Sequence, residues 1–123
     1  MFASQLNLSG NQLCGIDVFG NGTYTTEGII ALADALKVTA SLTELNLDGY
    51  ALPIKQLKGT EPVASLDFRN KGLGVPSAIV IASLIGDNAS MTWLDVRHNL
   101  IGEEGKAALH EAIEGRSGFE LLL

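Results

Sequence analysis

Four short stretches of the chain can be laid over one another: SQLNLSGNQL (4–13), TELNLDGYAL (43–52), ASLDFRNKGL (64–73) and TWLDVRHNLI (92–101). Each follows the template L-x-x-L-x-L-x-x-N-x-L. One aliphatic column runs Leu6, Leu45, Leu66, Leu94; the next runs Leu8, Leu47, Phe68, Val96; a closing column runs Leu13, Leu52, Leu73, Ile101. Side chains alternate along a strand, so the central L-x-L puts both apolar groups on one face of a short strand. The flanking positions turn inward only where the backbone bends away. No single unit of this kind covers its own apolar face, so neighbouring units have to share one core.

Helical periodicity follows the first, third and fourth stretches. TTEGIIALADALK places Ile29, Leu32, Ala33 and Leu36 on one face, with Thr25 or Thr26 as cap and Glu27 in the first turn. VPSAIVIASLIG starts with Pro76 near the first helical position and leaves at Gly86. GEEGKAALHEAIEG sets Glu103 and Glu104 at the positive end, faces Ala108, Leu109, Ala112 and Ile113 inward and stops at Gly115.

On these residues, and most closely in EGIIALADALKVTASLTELNL and TWLDVRHNLIGEEGKAALHEAI, the chain resembles leucine-rich repeat proteins of the ribonuclease-inhibitor type. This is the long-repeat class also found in NOD-like receptor repeat domains. The resemblance implies an α/β solenoid with a short curved parallel sheet inside and helices outside. It also implies a role in binding another protein. A single domain over residues 1–123 is expected, with repeats at about 3–41, 42–62, 63–90 and 91–118 and a closing strand at 119–123.

The period is uneven. Equivalent leucines lie 39, 21 and 28 residues apart (6 to 45, 45 to 66, 66 to 94). The surplus in the first unit is CGIDVFGNGTY, Cys14 to Tyr24, which reads as a hairpin or ordered loop around Gly20-Asn21-Gly22. It serves either recognition or cover for the first repeat. The deficit in the second unit lies in LPIKQLKGTEPVAS, where Pro53 and Pro62 leave no room for a three-turn helix. A helix-less extended or 3₁₀ crossing is expected there, with Ile54 and Leu57 in the core. The third helix is apolar almost all round. Packing of Ile79, Val80 and Leu84 into the space beside the short unit is preferred to an exposed patch. The first strand follows three residues after Met1, so an open N-terminal edge is expected. That edge implies either a longer parent protein or association between chains.

Composition removes several functions. The net charge of −6, with Lys and Arg scattered, argues against nucleic acid. The longest uncharged apolar run, Val75 to Gly86, is too short to span a membrane, and the N-terminus lacks the charged start of a signal peptide. A lone cysteine, Cys14, fits a cytoplasmic setting. The Asn-x-Ser/Thr triplets at Asn7, Asn21 and Asn88 then read as chance matches.

Catalysis is not expected. Cys14 and His98 fall three units apart, roughly 14 Å at the spacing of parallel strands, and no spacing typical of a metal site or phosphate loop occurs. No cofactor or metal is expected. The outward strand positions are the candidate surface for a protein partner: Asn46, Asp67, Asp95; Glu44, Trp93; and Asp48, Arg69, Arg97, extended by Asn21 and Tyr24 of the insertion. Trp93, the only tryptophan, is a rigid aromatic where the core does not need one. Covering the edge of the last strand is its plain alternative, and cross-strand ion pairing is that of the charges. A face of about 20 by 12 Å falls short of the roughly 800 Å² per partner of a standard interface. Binding therefore has to recruit adjoining loops, or be replaced by self-association through the N-terminal edge.

Overall fold

A computed structural model describes residues 5–9, 27–39 and 41–123. The insertion at 14–24, with Cys14, Asn21 and Tyr24, lies outside the described residues. The elements in order are β1 (Gln5–Asn7), α1 (Glu27–Val38), β2 (Glu44–Asn46), β3 (Ala51–Pro53), α2 (Ile54–Lys58), β4 (Ser65–Asp67), α3 (Val75–Ile85), β5 (Trp93–Asp95), α4 (Gly102–Ala112) and β6 (Glu120–Leu122).

β1, β2, β4 and β5 are centred on the first leucine of each L-x-L, and the leucines set the register. Leu6 faces Leu45 across parallel β1 and β2, and Leu66, Leu94 and Leu121 align across parallel β4, β5 and β6. The expected solenoid with one continuous parallel wall is not what forms. The strands make two separate three-stranded sheets, β1-β2-β3 and β4-β5-β6, and the first is mixed. The cause lies in the shortened second unit. Gly49, at φ +93°, lets the chain reverse directly after β2, and β3 then pairs antiparallel with it, Leu45 facing Leu52. That return takes the edge of β2 on which β4 would have continued the sheet. Leu45 and Leu94, on the central strands, are wholly buried, whereas Leu6 and Leu66, on outer strands, are not.

The second unit is not helix-less either. Ile54–Lys58 forms a single α-helical turn ending at Gly59, whose φ of +86° makes the left-handed exit. Ile54 and Leu57 are fully buried, as their spacing predicts. The closing column survives the change of topology: Leu52, Leu73 and Ile101 are all core residues.

One core runs under both sheets, and the helices cover it. α3 packs against both α1 and α4. Ile79, Val80 and Leu84 are buried, so the apolar girth of α3 is explained by packing on several sides. Its ends are tied down from far along the sequence. The Asp48 carboxylate accepts from the N–H of Gly74 (2.9 Å) and of Ser77 (3.3 Å) and from the Ser77 hydroxyl, satisfying the positive end of the helix. At the other end the Arg116 guanidinium donates to the carbonyls of Ile85 (2.7 Å), Asn88 (2.6 Å) and Met91 (2.8 Å). Asn88, only 2 % exposed, donates to the carbonyls of Gln56 and Leu57 (3.0 Å each) and accepts from the N–H of Ser90. An amide so engaged cannot carry a glycan.

Candidate functional site

β4 and β5 each end in the same three-residue device. The residue that closes the strand is an aspartate, and the arginine two positions later folds back onto it. Asp67 Oδ1 accepts from the Arg69 backbone N–H at 3.0 Å, while Arg69 Nε and Nη2 approach the carboxylate at 3.1 and 2.8 Å. Asp95 repeats this with Arg97, at 3.0 Å to the N–H, 3.0 Å to Nε and 2.7 Å to Nη2. The backbone bond needs a short carboxylate, and the side-chain bonds need a planar fork, so Asp-x-Arg at a strand end is the least that builds it. Parallel pairing sets Asp67 beside Asp95 and therefore couples the two units: Arg69 Nε also lies 3.4 Å from Asp95 Oδ2.

Asp95 is the pivot. Its side chain is inaccessible, with a guanidinium on either side, whereas the Arg69 and Arg97 side chains are 50 % and 43 % exposed. The Arg97 hydrogen bond, helped by the neighbouring Arg69 charge, holds the Asp95 carboxyl below the usual carboxylate range against the opposing effect of burial. The Arg69 fork and backbone N–H bring Asp67 down to about 2. Both guanidiniums are held more firmly protonated by the same contacts. Two fixed cationic forks therefore face outward from one sheet face. Trp93 shares that face of β5 with Asp95 and is half-buried, with Ser65 and Glu120 as its cross-strand neighbours.

Beyond the strand ends Asp67 and Arg69 join Asn70, Lys71 and His98 around a depression of about 350 Å³. Asn70 and His98 both take left-handed backbone conformations, φ +55° and +61°. They are equivalent residues of consecutive units, so the turn after each strand is one geometry used twice. Asn99 holds the two turns together. Its Oδ1 accepts from the N–H groups of Lys71 and Leu73 (3.0 Å each), and its Nδ2 donates to the carbonyls of Phe68 (2.8 Å) and Val96 (2.9 Å). Lys71 lies over the Tyr50 ring at 5.5 Å. Asn70 and Lys71 were not among the candidates from sequence, and His98 was weighed there only as a base for Cys14. Their signal is the turn position that repeats 28 residues apart.

The remaining candidates lie elsewhere. Glu44 and Asn46 belong to β2 in the other sheet, where the Asn46 side chain accepts from the Gly49 N–H at 2.7 Å. Asp48 is turned to the N-terminus of α3 and not to a strand face. Among the described residues no cluster of His, Cys, Asp and Glu suits a metal ion, and no helix is long and apolar enough to cross a membrane.

No family model matches the chain, and no solved structure matches it. It is similar to Protein CARMIL of Dictyostelium discoideum, 28 % identical over 122 residues that take in 91 % of this chain. The chain spans 12 % of that relative's length.

Proposed function

We propose that the chain is a non-enzymatic protein-interaction module of the cell interior, and that it meets its partner on the outer face of β4 and β5 and the turns that follow. The observation that carries this reading is the doubled Asp-x-Arg unit beside Trp93: two guanidiniums held in fixed orientation, half exposed, next to the single tryptophan. Arginine forks fixed before binding lose little freedom on contact, and tryptophan and arginine dominate the energetics of protein interfaces. The strand–turn units are read as leucine-rich repeats of the ribonuclease-inhibitor type. The division into two sheets shrinks the surface any one sheet offers, so the turns at Asn70, Lys71 and His98 have to contribute area.

The test is retention of partners from a lysate of the source organism on the immobilised chain, compared with a Trp93→Ala, Arg69→Glu, Arg97→Glu variant whose fold is checked by circular dichroism. Loss of the retained proteins with the variant supports the reading. Equal retention removes it.

A second reading, association between copies, rests on Leu6, 37 % exposed on the outer strand β1. Solution mass across a dilution series separates the two. A dimer that withstands Trp93→Ala and is lost with Leu6→Glu belongs to the second reading, and a monomer throughout belongs to the first.

A further inference from the structure

The helical layer carries a different feature. α3 is buried along most of its length, whereas α1 and α4 each leave a face open, so the middle helix forms the floor of a trough. α2 is one turn only, and α1 meets α3 directly. The trough has a volume of about 500 Å³ and is lined by Ile30 of α1, Ile79 and Ala82 of α3, and Ala108 and Ala112 of α4. Small residues keep this floor open to another backbone. An acidic wall comes from the same face of α4, where Glu104 and Glu111 stand among the alanines at helical spacing. Among the described residues no lysine or arginine lines the trough.

A trough open along one side takes the apolar stripe of a helix, and the length of α4, 11 residues, matches a partner helix of about 16 Å, roughly three turns. The charge decides which helix. A second copy docked through the same face would bring Glu104 and Glu111 of both chains together. An anionic membrane would be repelled by a chain of net charge −6. We propose that the trough between α1 and α4 is a docking site for a basic amphipathic helix of a partner protein. The apolar stripe of that helix lies on the exposed Ile30 and the half-buried Ala108 and Ala112, above the buried Ile79 and Ala82, and its Lys or Arg residues face Glu104 and Glu111. This shares no residue with the strand-face site.

The probe is a synthetic peptide of about 14 residues with Leu and Lys at amphipathic helical spacing, titrated into ¹⁵N-labelled chain at about 150 mM salt, where charges more than about 8 Å apart are largely screened and non-specific attraction is reduced. A Leu–Glu peptide of the same pattern and a Ser–Lys peptide without the apolar stripe serve as controls. Saturable shifts centred on Ile30, Ile79, Ala82, Ala108 and Ala112 are expected with the Leu–Lys peptide alone. Glu104 and Glu111 are exposed, and Glu104→Lys with Glu111→Lys leaves the fold intact while weakening binding about tenfold or more, a change of ~1.4 kcal/mol. Shifts elsewhere, equal binding of either control, an unaffected double variant, or concentration-dependent shifts at this face without peptide would each overturn the proposal.

Discussion

Gly105 gives the sharpest test of how the helical layer is packed. It lies inside α4 and is buried. An alanine normally improves a helix interior over glycine by about 1 kcal/mol, so Gly105→Ala would stabilise the protein if nothing stood in its way. A Cβ at this position would lie 2.9 Å from Ala78 Cβ on α3 and 2.9 Å from Ile101 Cβ. Carbon atoms at rest sit about 3.5–4.0 Å apart, so Ala78 of α3 and Ile101 at the start of α4 each have to give way by roughly 0.6–1.1 Å. Overpacking of this size costs about 2 kcal/mol, in the middle of the observed range. The net expectation is a loss of about 1 kcal/mol, a melting temperature lower by roughly 3–6 °C in a domain of this size. Gly28→Ala in the first turn of α1 is the matched control, because its Cβ meets nothing within 4 Å. It should be neutral or stabilising by up to about 1 kcal/mol. Urea denaturation followed by far-UV circular dichroism reads both variants, provided the slope of the transition is unchanged. A Gly105→Ala protein as stable as the parent, or more so, would refute the close contact of α3 and α4.

Further outcomes follow from the same structure. Asp48→Ala removes the cap on α3 and leaves the buried Ser77 hydroxyl without its acceptor, a loss of about 2 kcal/mol by urea denaturation, and Asp48→Asn should restore part of it. Asn88→Ala strips two carbonyls of α2 of their donor and costs about 2–3 kcal/mol by the same assay, while the wild-type chain made in a secretory host should carry no sugar at Asn88. Acid should weaken the fold through Asp67 and Asp95. Both carboxyls titrate lower in the folded chain than in the unfolded one, so their stabilisation is complete above the unfolded value near 3.9 and is lost as the pH falls through the lowered folded-state values, about 2 for Asp67. Urea midpoints measured between about pH 7 and pH 2.5 should show this, and Asp95→Asn should flatten the dependence.

Strands β1, β2, β4, β5 and β6, the pairings of Leu6 with Leu45 and of Leu66 with Leu94, and most of the core were readable from sequence because they depend on one-dimensional spacing, whereas β3 and the missing pairing of Leu45 with Leu66 were not. Leu45 faces Leu6 and Leu94 faces Leu66 as the aligned columns require, and α1, α3 and α4 fall where helical periodicity places them. The break into two sheets was not readable. It depends on whether the chain reverses at Gly49 or crosses over, and the closing residues Ala51–Pro53 look the same in either case. The arginines and aspartates of the site were visible as strand-face residues, but their pairing within each unit, which leaves Asp95 inaccessible, is a matter of turn geometry. Asp48 illustrates the same limit. Its column placed it beside Arg69 and Arg97, while the left-handed Gly49 that follows it goes with a carboxylate turned to α3.

Whether Trp93, Arg69 and Arg97 form one recognition surface is best decided by site-specific photo-crosslinking in cells. A benzophenone side chain replaces Trp93 in one protein and the exposed Ala35 of α1 in another. The expected result is a discrete adduct with a partner protein from position 93, absent from position 35 and abolished when Arg69 and Arg97 are changed to glutamate. No adduct from position 93, or the same adducts from both positions, would contradict the assignment.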